Sequence, residues 1–160
     1  MSRQLFALIS LLLVAAAAHA GSISYEDCGS AYSLIEVDIE GCDDGFESTC
    51  NLMVGKNASV TFRFHSDSSA NSLNPDVTLT TFGLSRGVDV WPRNCDALMF
   101  TTCPIGGGQT HVYTAQLFID TDATLAQSIL TWKLYNEGTL LICMRANVVV
   151  IGPIPVAAVP

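Results

Sequence analysis

The chain has 160 residues, of which 49% are hydrophobic and 14% are charged, and its formal net charge is −8. A chain of this length can form one domain with a substantial buried core. The acidic balance argues against binding to nucleic acid, whose phosphates attract basic patches, and against attachment to anionic membrane surfaces at neutral pH.

The first twenty residues have the order of charged, apolar and small residues that is typical of a secretory signal peptide. Arg3 carries the positive charge, an apolar run extends from Leu5 to Ala18, and Ala18-His19-Ala20 has the small residues of a cleavage site. The run is shorter than the about 20 residues that a membrane-spanning helix needs, which disfavours an uncleaved anchor. We therefore expect a signal peptide over 1–20 and one mature domain over 21–160, secreted to the extracellular space or to the lysosomal lumen.

All six cysteines lie in the expected mature part: Cys28, Cys42, Cys50, Cys95, Cys103 and Cys143. In an exported chain an even number of cysteines indicates disulfides, although sequence alone does not fix their pairing. The spacing favours two short staples across loops, Cys42–Cys50 and Cys95–Cys103, and a third bond that joins the two ends of the domain. The sequence contains no C-x-x-C and no paired histidines, so we expect no metal site.

Asn57-Ala58-Ser59 is the one N-x-[ST] sequon of the sequence. In an exported protein such a sequon commonly carries a glycan, which would place Asn57 at the surface. An unused sequon is the alternative.

Short runs of alternating apolar and polar residues, separated by turn residues, predict β-strands. The runs are Ser33–Glu40, Ser59–His65, Val77–Leu84, Val88–Trp91, His111–Ile119, Ser128–Tyr135 and Leu140–Ile151. Asn136-Glu137-Gly138, between the last two runs, predicts a hairpin. Seven or eight short strands at this spacing predict a β-sandwich in a single domain.

The alternation also predicts which side chains point into the core. In the first run Ile35, Val37 and Ile39 share an apolar face, opposite a row of acidic residues. The other predicted inward faces are Val60, Phe62 and Phe64, then Tyr113, Ala115, Leu117 and Ile119, and finally Leu130, Trp132 and Leu134.

Motifs for catalysis are missing from the sequence. His65 and His111 both lie in strand patterns, and there is neither a nucleophile elbow nor an H-E-x-x-H helix. Asp43-Asp44 and Asp120-x-Asp122 fall in predicted turns, where aspartate commonly makes local hydrogen bonds. We interpret both pairs as solvated loops, and we expect no enzymatic activity and no cofactor.

Several motifs together carry a family resemblance: Asp27-Cys28-Gly29-Ser30, Cys103-Pro104-Ile105, Leu130-Thr131-Trp132-Lys133-Leu134 and the six-cysteine spacing. From about Asp27 to Ile151 the chain resembles the ML (lipid-recognition) family, in particular its Niemann-Pick type C sterol-transfer and group-two mite-allergen branches. The resemblance implies an all-β, two-sheet immunoglobulin-like sandwich with an apolar cavity between the sheets. It also implies the disulfides Cys28–Cys143, Cys42–Cys50 and Cys95–Cys103.

By alignment with the family, the resemblance implies that a lipid lies between the sheets. The implied lining is Val37, Ile39, Leu52, Val60, Phe62, Tyr113, Ile119, Leu130, Trp132 and Met144, with Trp91 at the mouth. Ala123-Thr124 stands where sterol-transfer members have bulky aromatic and proline residues, which implies an entrance of different shape.

The resemblance favours a monomeric carrier that holds a sterol or a fatty-acid-like lipid and transfers it without chemistry, to a membrane lipid-transfer partner or a receptor. Without the resemblance, the same apolar faces indicate only a packed core, as in an adhesion domain. Two other functions stay open. One is innate-immune recognition of lipopolysaccharide, which the small number of Lys and Arg disfavours, and the other is extracellular carriage of small apolar semiochemicals.

Overall fold

Eleven strands and one 3₁₀ turn form the regular structure of residues 23–42 and 50–153, the part of the chain that the computed structural model describes. In chain order they are β1 (Glu26–Asp27), β2 (Ser33–Ile39), β3 (Asn51–Met53), β4 (Asn57–Ser66), β5 (Asn74–Thr81), β6 (Leu84–Gly87), β7 (Asp89–Trp91), the 3₁₀ turn (Asn94–Ala97), β8 (Leu98–Met99), β9 (Gln109–Phe118), β10 (Gln127–Asn136) and β11 (Thr139–Ile151). The expected signal peptide and Asp43-Asp44 lie outside the described residues.

The strands form two sheets that pack face to face. Sheet I has the order β1-β11-β10-β5-β6, and β3 joins it in parallel to β11. Sheet II has the order β2-β4-β9-β7, and β8 also pairs with β9. Phe62 of sheet II and Trp132 of sheet I meet between the sheets with ring centroids 5.3 Å apart, and both are fully buried. The predicted two-sheet, all-β sandwich is confirmed.

Each predicted strand run overlaps an observed strand, but the run Val77–Leu84 is wrong at its end. Thr81 pairs with Leu84, and the two residues between them, Phe82 and Gly83, have φ values of 51° and 79°. Positive φ at both central residues is the geometry of a tight type I′ hairpin turn. The chain therefore reverses there, and Leu84 begins the next strand, β6.

Strand β2 differs from the simple alternation at Ile35. The pairing of β2 with β4 shifts between Leu34, opposite Phe64, and Glu36, opposite Arg63. This β-bulge turns Ile35 outward, so that 46% of it is exposed, while Leu34 packs against the core. The prediction that Ile35 shares the buried face is therefore wrong, whereas Val37 and Ile39 are buried as predicted.

Three disulfides tie the sandwich together: Cys28–Cys143, Cys42–Cys50 and Cys95–Cys103. This is the pairing that the spacing favours and the resemblance implies. Beside Cys42–Cys50 the amide of Asn51 donates a hydrogen bond of 2.9 Å to the carbonyl of Gly41. Because Gly41 follows β2 of sheet II and Asn51 begins β3 of sheet I, this contact closes one edge of the sandwich.

Candidate functional site

Ten of the eleven side chains implied as pocket lining are together in the interior, each at most 2% exposed: Val37, Ile39, Leu52, Val60, Phe62, Tyr113, Ile119, Leu130, Trp132 and Met144. They come from both sheets, because each occupies an inward position of its strand or, for Ile119, the residue after β9. Whether they contact a ligand stays a prediction.

Trp91 is separate from this interior. Its side chain is 72% exposed, whereas the preceding residue, Val90, is buried. Successive side chains of a strand point to opposite faces, so the inward position of Val90 places Trp91 on the outside. Trp91 lies opposite Gln116 in β9, on the outer face of sheet II.

An aromatic cluster of Phe62, Tyr113 and Trp132 occupies the middle of the interior. The ring of Trp132 meets that of Phe62 edge to face at 5.3 Å and that of Tyr113 at 6.3 Å, and the rings of Phe62 and Tyr113 are 6.0 Å apart. Since Trp132 comes from sheet I and the other two from sheet II, the aromatic cluster links the sheets. Each such pair contributes about 0.5–1.5 kcal/mol beyond its buried area.

The aromatic cluster contains two buried polar atoms without a hydrogen-bond partner in the described structure, the hydroxyl of Tyr113 and the indole nitrogen of Trp132. Burial raises the pKa of the Tyr113 hydroxyl well above its ordinary value of 10.0, so the group is a neutral phenol at physiological pH. Elsewhere in the interior the hydroxyl of Tyr32 donates to the carbonyl of Ser68 at 2.7 Å.

Four prominent clefts border the described residues. Two, of about 560 and about 610 Å³, lie on the outer face of sheet I and share Thr80, Ile129 and Asn147. Two smaller clefts lie between β5 and β7, about 330 Å³, and beside the start of β4, about 320 Å³. Among the implied lining residues, Ile119 alone borders any of these four clefts. None of these four clefts is therefore a cavity lined by the implied set, whose side chains belong to one buried hydrophobic cluster.

Comparison with known proteins places this sandwich in a family. Residues 22–150 match the ML domain, which is most of the chain. The chain belongs to the ML-domain family. This ML-domain protein is 27% identical over 134 residues to NPC intracellular cholesterol transporter 2 of Sus scrofa, with 80% of this chain and 84% of the relative covered. It is 27% identical over 141 residues to the Mus musculus protein of the same name, with 84% and 89% covered.

Solved structures share the fold of this ML-domain protein. A Niemann-Pick type C2 protein from Japanese carpenter ant superimposes with a TM-score of 0.69 at 16% identity, covering 81% of this chain and 100% of that one. The C-terminal domain of wzt gives a TM-score of 0.51 at 12% identity, covering 82% and 79%. At these identities the two likenesses concern the fold alone.

Asp120 and Asp122, in the turn after β9 of this ML-domain protein, take part in ion pairs. Arg86 of β6 forms ion pairs with Asp120 at 3.3 Å and Asp122 at 3.1 Å, and all three side chains are substantially exposed. The Asp120-x-Asp122 pair thus attaches the turn after β9 to sheet I. Within the described ranges no group of three or more His, Cys, Asp or Glu could hold a metal ion, and no helix is long and apolar enough to cross a membrane.

Several interior residues outside the implied lining show the same alternation in the sequence. Phe64, Leu117 and Leu134 are fully buried on the same inward faces as the implied lining. Asn57, the predicted glycosylation site, is exposed at the first residue of β4, and its modification stays a prediction.

Proposed function

We propose that this protein binds a lipid of the sterol or fatty-acid type between its two sheets and carries it without covalent chemistry. The main observation behind the proposal is that the chain has an ML domain, and that large apolar side chains of both its sheets meet in the interior. Support comes also from the pig and mouse relatives, which are named as intracellular cholesterol transporters.

The energetics of such an interior suit reversible carriage. A ligand that buries about 300 Å² of apolar surface gains roughly 7–8 kcal/mol before costs. Ordering of the ligand and separation of side chains that now touch one another reduce this gain. The remaining affinity permits both uptake and release, and neither step needs a catalytic group.

The wider setting of the carrier is part of the same proposal. The signal-peptide pattern of residues 1–20 supports secretion, to the extracellular space or the lysosomal lumen, and the exposed Asn57 supports glycosylation there. We infer a monomer that delivers its ligand to a membrane lipid-transfer partner or receptor.

Lipopolysaccharide recognition receives no support from the arginines of the described surface. The four described arginines each lie within 3.6 Å of a carboxylate: Arg63 with Glu36, Arg86 with Asp120 and Asp122, Arg93 with Asp89, and Arg145 with Glu26. Cations already paired with carboxylates are poorly placed to bind the phosphates of lipid A.

The test is organic extraction of the secreted protein followed by mass spectrometry, together with binding of a fluorescent sterol and a fluorescent fatty acid. Leu130→Phe fills interior space and should weaken binding, because Leu130 is fully buried. Ile129→Phe is the matched control, since Ile129 is the next residue of β10 and faces outward with 41% exposure. Absence of a co-purifying lipid and of probe binding at micromolar concentration would refute the proposal.

A further inference from the structure

The unpaired polar atoms of the aromatic cluster are an exception in this interior. Tyr113 and Trp132 are both fully buried, and among the described residues neither the Tyr113 hydroxyl nor the Trp132 indole N–H has a partner. The large majority of buried side-chain polar atoms in native proteins are hydrogen-bonded, and an unpaired atom in a core carries the cost of its lost hydration.

Other buried polar groups of the described structure have partners. The hydroxyl of Tyr32 donates to the Ser68 carbonyl at 2.7 Å. The hydroxyl of Ser66 donates to the carbonyl of Gly106 at 2.6 Å and lies 3.2 Å from Nε2 of His111. These buried polar atoms thus have partners among the described residues, whereas the two atoms of the aromatic cluster have none there.

The chemistry of the two groups shows which kind of hydrogen-bond partner they need. An indole N–H can only donate a hydrogen bond, and a neutral phenol donates one as well. Their nearest ring neighbour, Phe62, has no acceptor, and Trp132 lies between the apolar residues Met144 and Val77 on the adjacent strands. Both groups therefore call for an acceptor oxygen, which residues 23–42 and 50–153 do not provide.

We propose that the lipid carried by this protein places an acceptor oxygen, of a hydroxyl, ester or carboxyl group, inside the aromatic cluster, where Tyr113 and Trp132 donate hydrogen bonds to it. This inference rests on the proposed function and narrows its ligand class to oxygenated lipids whose polar group is buried. A pure hydrocarbon of similar size would leave both donors unpaired and would bind less tightly.

The experiment compares three fluorescent probes on the delipidated, full mature protein. cis-Parinaric acid and its methyl ester carry acceptor oxygens, whereas diphenylhexatriene is a hydrocarbon. Tyr113→Phe removes one donor with little change of shape and should weaken both oxygenated probes about 3- to 10-fold while leaving diphenylhexatriene unchanged. Tyr32→Phe is the matched control, because the hydroxyl of Tyr32 has a partner in the protein. It should leave the affinity for all three probes unchanged.

A second measurement uses the unmutated protein. The chain has two tryptophans, the buried Trp132 and the exposed Trp91, so their indole N–H protons give two separate signals in NMR spectra. The Trp132 signal should move downfield with methyl parinarate and not with diphenylhexatriene, while the Trp91 signal serves as the internal reference.

The outcomes separate this inference from the carrier proposal. If none of the probes binds, the carrier proposal itself fails. If all three bind and Tyr113→Phe affects them equally, or the Trp132 proton does not respond to the ester, the inference is overturned and the carrier proposal stands. An ordered water that occupies the aromatic cluster in the lipid-bound protein would overturn it as well.

Discussion

Asp38 lies on the outer face of β2, between Glu36 and Glu40. Its pKa is raised from the ordinary 3.8, first because the carboxyl is partly buried and then because the two glutamates repel its charge. A raised pKa means that the ionised form is less favourable in the folded chain than in the unfolded one. The charge therefore lowers stability at neutral pH, and this penalty disappears as the pH falls through the folded pKa and below 3.8.

We accordingly expect Asp38→Asn to raise the free energy of unfolding at pH 7 and to have almost no effect at pH 3, in urea titrations at both values. Asp67→Asn, at an exposed carboxylate, is the control and should change stability little at either pH. An equal gain at both pH values would mean that the side chain acts through packing and not through its charge.

For single residues, the sequence predicts burial well and hydrogen-bond partners poorly. Val60, Phe62 and Leu130 are in the core because strand alternation requires it, and their burial follows from the pattern alone. The missing partners of Tyr113 and Trp132 do not follow from any pattern, because they depend on which atoms of the opposite sheet lie within reach. The burial of the candidate site's side chains is therefore predictable from the sequence, whereas the unpaired state of two of its polar atoms is not.

The hairpin between β5 and β6 contains a residue that its geometry does not favour. Phe82 has φ of 51° at the first central position of the turn and is 83% exposed. Side chains with a Cβ rarely adopt this conformation, and asparagine tolerates it far better than phenylalanine. The exposed ring also contributes little to the core, so stability does not explain its presence.

Phe82→Asn should therefore raise the free energy of unfolding by about 0.5–1 kcal/mol, measured by urea denaturation. Leu84→Asn provides the control, because Leu84 is also exposed, at 78%, but lies in the extended strand β6. It should give no such gain. Loss of stability in Phe82→Asn would indicate that the ring packs on the body of the protein in solution.

Whether a strand of this protein can be predicted from its sequence depends on how many residues the strand contains. The long strands β4, β9 and β10 contain enough residues to show a two-residue period, and each was found. β1 and β8 have two residues each, too few to show any period, so the sequence does not reveal them. The bulge at Ile35 and the reversal at Phe82 arise from pairing with neighbouring strands, which a local pattern does not contain.

The sandwich as a whole depends on how its two sheets are joined at the edges. At one edge the Cys42–Cys50 bond and the Asn51-to-Gly41 hydrogen bond connect β3 of sheet I with the end of β2 in sheet II. At another, the amide of Val88 donates to the carbonyl of Val77 at 2.9 Å, where the chain passes from β6 to β7. Entry of the proposed lipid would require that side chains of the two sheets separate while such joints hold.

A substitution at Gly41 tests the connection between the end of β2 and β3. A Cβ at this position would lie 2.5 Å from the carbonyl oxygen of Asn51, and the residue has φ of +86°. Gly41→Ala should cost about 3 kcal/mol, from backbone strain and displacement of β3 together. Gly138→Ala, at φ of +87° with no atom within 4 Å of the added Cβ, isolates the strain and should cost about 1–2 kcal/mol. Equal losses in urea unfolding would mean that the edge adjusts freely and that the Gly41–Asn51 contact does not hold the sheets together.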